Sequence, residues 1–129
     1  MNWNEALNLI QNNIAVGLSL DENSSNGRHV LAGPAHICNS YDFRGIPGYK
    51  IQIGSTISSY IEVPIEMLRN IFNDSILDNR IYNKSVFRIH YPYHSETATG
   101  HPCYVHVVGM IFVKAGVGVK KGKRNFRIL

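Results

Sequence analysis

The sequence predicts an α+β fold with a mainly antiparallel sheet, two or three helices and a basic β-hairpin at its C-terminal end, built as one small domain over residues 1–129. Three observations carry that prediction. Apolar residues recur at steps of three and four over residues 3–14 and again over 65–72, the spacing of a helix with one buried face. Two runs, 49–53 and 60–63, alternate apolar and polar residues around a short polar stretch, the pattern of paired, half-buried strands. Val117 and Val119, then Phe126 and Ile128, flank a turn rich in lysine and glycine. With 129 residues, 44% of them hydrophobic and 17% charged, the chain has the size and composition of an ordinary globular domain with room for a core.

In chain order, Asn2 and Glu5 have capping-box spacing, and Trp3, Ala6, Leu7, Ile10 and Ile14 follow as one apolar stripe. Residues 15–20, AVGLSL, read as a short strand, and 21–29 as a loop. Gly33, Pro34, Gly45, Pro47 and Gly48 interrupt residues 30–48, and no element is assigned there. Tyr49, Ile51 and Ile53 then share one strand face, and Ile61 and Val63 share another, which makes an antiparallel hairpin. Pro64 suits the first turn of a helix, where its missing N–H would go unpaired in any case. Ile65, Leu68, Ile71 and Phe72 mark the buried face of that helix, which Asn73-Asp74-Ser75 should weaken. Residues 78–85 are turn-like. Residues 86–91, VFRIHY, read as a strand with Phe87, Ile89 and Tyr91 on one face and Arg88 and His90 on the other.

Residues 102–116 admit two readings. The β-branched run YVHVV favours a strand by propensity. Tyr104, Val107, Val108, Ile111, Phe112 and Ala115 nevertheless share a helical face, with Pro102 where a first turn accepts it, Lys114 in the last turn and Gly116 where a left-handed cap belongs. The helix is preferred because its end signals agree with its periodicity.

The N-terminal residues lack the basic start, apolar run and cleavage site of a secretory signal, and no stretch approaches the roughly 18 apolar residues of a membrane-spanning helix. A cytoplasmic protein without membrane attachment is expected. Cys38 and Cys103 stand in no metal-binding or redox motif. Reduced, buried thiols are the expectation, with one long-range disulfide left open.

The distribution of charge is more informative than its sum of +4. Residues 1–113 carry seven cationic and nine acidic side chains, a balance of −2, whereas six cations and no acid follow Val113. A basic tail on a mildly acidic body points to a polyanionic partner, or to a solubilising edge hairpin guarded by lysine.

Four of the six histidines, His90, His94, His101 and His106, fall within residues 88–106 together with Cys103. Imidazole and thiolate are the right donors for tetrahedral zinc. No zinc-finger half is matched by a second, and Pro92 keeps His90 and His94 off one helix. Neither a metal nor a cofactor is expected on this spacing. An acid–base site would use Arg88 and His90 on one strand face with His94 or His101 approaching from the loop. The chain has no nucleophile motif, carboxylate cluster or glycine-rich phosphate cradle to go with it.

Residues 102–129, a helix followed by a basic hairpin, resemble the recognition helix and wing of winged-helix domains. The resemblance implies DNA or RNA as a partner. Lys120, Lys121, Lys123 and Arg124 would neutralise phosphates, with Lys114 on the outer face of the helix and Arg88 at the margin. Tyr91, Tyr93 and Tyr104 would stack on bases in a single strand. The functional expectation is therefore a binding or regulatory module for nucleic acid. The alternatives are a small His-dependent, nuclease-like enzyme or zinc-binding protein centred on residues 88–106, and a homo-oligomer, such as a homodimer, with a small-molecule or protein partner.

Overall fold

The computed structural model describes residues 1–21, 28–54, 56–95 and 103–129. Asn2 opens the first helix, α1 (Trp3–Asn13), through the expected capping box: its side chain accepts from the Glu5 N–H at 2.9 Å and its own N–H donates to Glu5 at 3.0 Å. Ala6 and Ile10 are fully buried, and Trp3 sets its ring 5.7 Å from that of Phe72. The strand expected over residues 15–20 does not form. The chain turns at Gly17 and makes one isolated bridge, Ser19 to His29.

Residues 30–64 build the first sheet from β1 (Val30–Ile37), β2 (Pro47–Gln52) and β3 (Tyr60–Pro64), all antiparallel in the order β1-β2-β3. The expected hairpin is β2 with β3, in a register pairing Tyr49 with Val63 and Ile51 with Ile61. Those four side chains are buried on one face. β1 had no strand signature because Gly33-Pro34 interrupts it, and its pairing with β2 carries two register irregularities there.

Pro64 ends β3 and caps α2 (Ile65–Leu77) without an intervening residue, one position earlier than expected. The helix runs on through Asn73, Asp74 and Ser75 to Leu77. Ser75 is buried and donates to the Ile71 carbonyl at 2.7 Å, so its hydroxyl is satisfied within the helix. Asn79 and Arg80, both at positive φ, then reverse the chain into β4 (Ile81–Tyr82).

The strand expected over residues 86–91 is instead a helix, α3 (Lys84–His90). Asn83 caps it by accepting from the Val86 N–H at 3.2 Å. Val86 and Phe87 are the buried residues and Ile89 is 64% exposed, which a two-residue period cannot produce. Arg88 and His90 therefore do not share a strand face.

α4 (Cys103–Ala115) is the preferred helix. It ends as its sequence foretold: Gly116 takes φ +84°, its N–H donates to Val113, and the Val117 N–H reaches back to Phe112 at 2.8 Å. Pro102, expected in its first turn, lies outside the described residues. β5 (Gly118–Lys120) and β6 (Phe126–Ile128) pair antiparallel, and β4 adds on the far side of β6, giving a second sheet in the order β4-β6-β5. The result is an α+β fold of four helices and two small antiparallel sheets. One apolar core draws side chains from all four helices and both sheets, centred on α4, whose Val107, Val108, Ile111, Phe112 and Ala115 are completely buried. No described helix is long and apolar enough to cross a membrane.

Candidate nucleic-acid interface

The second sheet has two unlike faces, which its sequence alternation dictates. Tyr82, Phe126 and Ile128 turn inward and are buried, with the Tyr82 ring 5.6 Å from Phe126 and 6.0 Å from Phe112. The register places Ile81, Arg127 and Val119 opposite one another across three strands, on the outer face. Arg127 is thus an exposed cation on the central strand.

The five residues 121–125 join β5 to β6, closed by the Lys121 N–H donating to the Asn125 carbonyl at 2.8 Å, and Lys121, Lys123 and Arg124 on this turn are exposed. Gly122 adopts φ +147°, a conformation that glycine accepts without a steric penalty. Asn125 ties the turn to α3 through a 3.4 Å contact with Asn83. Lys84 and Arg88, spaced i and i+4 on exposed positions of α3, begin from that junction. At the other end of the sheet, Arg80 donates to the Leu129 carbonyl at 2.8 Å.

The structure thus separates charge by halves. Residues 79–129 hold nine Lys and Arg against Glu96 alone, while residues 1–78 hold four against eight Asp and Glu. Among the described residues, Lys84, Arg88, Lys120, Lys121, Lys123, Arg124 and Arg127 form no ion pair with a carboxylate.

Not all of the cations expected to act together do so. Lys120 pairs with Phe126 and so belongs to the inner side of the sheet, near enough to α4 that its charge acts on His106. Lys114 stands in the last turn of α4, at the opposite end of β5 from the turn. Arg80, Lys84 and Arg127 were missed. Arg127 was readable from Phe126-Arg127-Ile128, where the middle residue of an alternating strand must face outward.

The four histidines of residues 88–106 do not converge. His90 pairs with Asp74 of α2 on the surface. His94 Nε2 lies 3.0 Å from Asp42, and its ring is packed against Phe43 and Tyr104, each with centroids 5.0 Å away. His106 approaches Asp21 at 3.5 Å. Burial and the cations Arg28 and Lys120 hold its imidazole below the usual range, against the pull of Asp21. His101 lies outside the described residues. Among the described residues, no three His, Cys, Asp or Glu side chains are grouped to hold a metal ion. Tyr104 and Tyr91, expected to stack on bases, are respectively buried and half-buried; Asn70 donates to the Tyr91 hydroxyl at 3.0 Å.

A polar cluster that the sequence concealed lies where the loop after β1 folds over β3. Glu62 is buried and accepts from the backbone N–H groups of Asn39, at 2.9 Å, and Ser40, at 2.6 Å, with His36 Nε2 2.6 Å away. Burial pushes its carboxyl up, but the bonds from His36, Ser40 and Asn39 outweigh that and hold it below the ordinary range. Cys38, next to it, is a free, buried thiol pushed up to about 11, first by burial and then by the Glu62 charge. The Cys103 side chain lies outside what the structure describes. Nothing near His36 in the sequence marks this role, because its partner is 26 residues away.

Comparison with protein-family models, with curated proteins and with solved structures finds no match to this chain.

Proposed function

We propose that this protein is a nucleic-acid-binding module that grips phosphates with the outer face of its second sheet and the turn 121–125. The observation that carries the reading is a set of exposed cations on neighbouring elements, Lys84 and Arg88 on α3, Lys121, Lys123 and Arg124 on the turn that Asn125 links to Asn83, and Arg127 on β6, with no carboxylate partner among the described residues. Like charges crowded on one surface repel, and a phosphate backbone relieves that repulsion while releasing its own counterions. Protection of a sheet edge would account for charge on β5, the outermost strand, but not for Arg127 on the central one.

The succession of elements supports the same reading. Over residues 102–129, where the resemblance to a winged-helix domain lies, α4 is followed by the antiparallel β5–β6 pair with its basic turn 121–125. A cytoplasmic setting, where DNA or RNA is accessible, goes with this reading.

The test is fluorescence anisotropy with labelled nucleic acid. If about five of these cations meet phosphates, affinity should fall roughly several hundred-fold between 50 and 200 mM salt. The Lys121→Ala, Lys123→Ala, Arg124→Ala triple variant should bind at least about tenfold more weakly with unchanged stability. Binding that ignores salt, or that the triple variant retains in full, refutes the proposal.

A further inference from the structure

Among the described residues, the outer face of the second sheet and the turn 121–125 bear no Phe, Tyr or Trp ring. Tyr82 and Phe126 point inward, and the turn contributes only lysine, glycine, arginine and asparagine. The strongly exposed tyrosines lie on other elements: Tyr41 in the loop after β1, Tyr60 at the start of β3, and Tyr93 beyond the C-terminal end of α3. Tyr93 stands against His94, which pairs with Asp42 of the first half of the chain. The turn meets α3 at its other end, through Asn83. Tyr93 thus lies beyond the Arg88 end of α3, and the turn at its Asn83 end. Proteins that hold single strands add aromatic platforms to a basic groove, because each stacked base contributes about 1–3 kcal/mol. Among the described residues, this face offers Arg127 on the sheet and Lys121, Lys123 and Arg124 on the turn, with no Phe, Tyr or Trp ring on either for a base to stack on.

The helix that would read base edges is also closed off. α4 presents only Lys114 as an exposed side chain among its described positions, with Val105, His106 and Val113 partly covered. α1 lies along it, and Asn13 donates from its side-chain amide to the Ala115 carbonyl at 2.9 Å. Apart from Tyr104, His106 and Lys114, its residues from 104 to 115 are apolar or glycine, so they carry no side-chain donor or acceptor pattern that could match a groove. A groove-reading helix needs a free polar face toward its N-terminal end, and Tyr104 there is buried.

We infer that the partner of the cationic face is a duplex, held by its phosphates and without regard to base sequence. This rests on the nucleic-acid reading above and narrows it to one class of target. A duplex presents its phosphates as a fixed, repeating array, which suits fixed cations on a sheet and a tied-down turn. Such contacts position the protein but carry no sequence information.

The experiment titrates the full chain against equal lengths of mixed, A·T-only and G·C-rich DNA duplex, an RNA duplex of the mixed sequence, and an unstructured oligo-thymidine strand. The three DNA duplexes should bind within about threefold of one another, and the single strand at least about tenfold more weakly. The RNA duplex identifies which duplex geometry is preferred, and either preference agrees with the inference provided the single strand remains weaker. Arg127→Ala should weaken all three DNA duplexes by the same factor and reduce the salt slope by about one, with an unaltered circular dichroism spectrum establishing that it is folded. A single strand bound as tightly as duplex, or tenfold discrimination among the three DNA duplexes, overturns this inference and leaves nucleic-acid binding standing. Absence of salt-dependent binding to every probe overturns both.

Discussion

The ring of Phe126 lies directly over Gly109, so close that a β-carbon at position 109 would overlap it. Through this contact β6 approaches α4 closely, and the second sheet, with its outward Arg127, is seated on the core. Gly109→Ala should destabilise the fold by about 1–3 kcal/mol, the usual cost of an overpacked core. Phe126→Leu makes room and should recover part of that loss. Chemical denaturation of both single variants and the double variant measures the coupling, and strictly additive losses would contradict the contact.

Glu62→Gln should cost about 3 kcal/mol, since the carboxylate accepts charge-assisted bonds and a buried amide nitrogen would face backbone donors. The pH dependence has a definite sign. A carboxyl held below 4.5 in the folded state contributes stability that is present above that pH and lost as pH falls below it. Denaturation midpoints should therefore fall less between pH 5 and pH 3 in Glu62→Gln than in the parent chain. Parallel profiles would remove Glu62 as the cause.

His106 titrates in the opposite chemical sense with the same outcome. Its folded-state imidazole lies below 6.5, so the unfolded chain binds the proton more readily and stability is lost as pH falls through that value. His106→Gln cannot take up the proton. Its melting temperature should decline less than the parent's between pH 7.5 and pH 5.5, as measured by differential scanning calorimetry, and an equal decline would count against the assignment.

Cys38 should be chemically silent in the folded protein. Burial and the neighbouring carboxylate raise the thiol to about 11, which leaves about one molecule in a thousand as thiolate at pH 8. In a Cys103→Ser background, iodoacetamide should leave the native chain unlabelled and modify it fully in guanidinium. Rapid labelling of the native form would show that the thiol is accessible.

Legibility in the sequence followed the distance over which each element is determined. α1 was readable because its cap and stripe are both local, and the β2–β3 hairpin because both strands alternate cleanly. α3 was misread because six residues are too few to separate a period of 2 from 3.6, and Val86-Phe87 is a helical pair that alternation ignores. The decisive signal was Asn83, a capping residue just before the segment. β1 was hidden by Gly33-Pro34. Of the candidate interface, the cations of the turn were visible as a charge run, and Arg127 was available from strand alternation. The Glu62 cluster was not legible at all, because no local pattern marks a side chain whose partners arrive from 22 to 26 residues away.

The junction at Pro64 has a mechanical meaning. A single residue ends the first sheet and starts the helix leading to the second, so force on either half passes into the other without a tether to absorb it. With side chains of both sheets packed into one core, a displacement at this junction is felt by both sheets together.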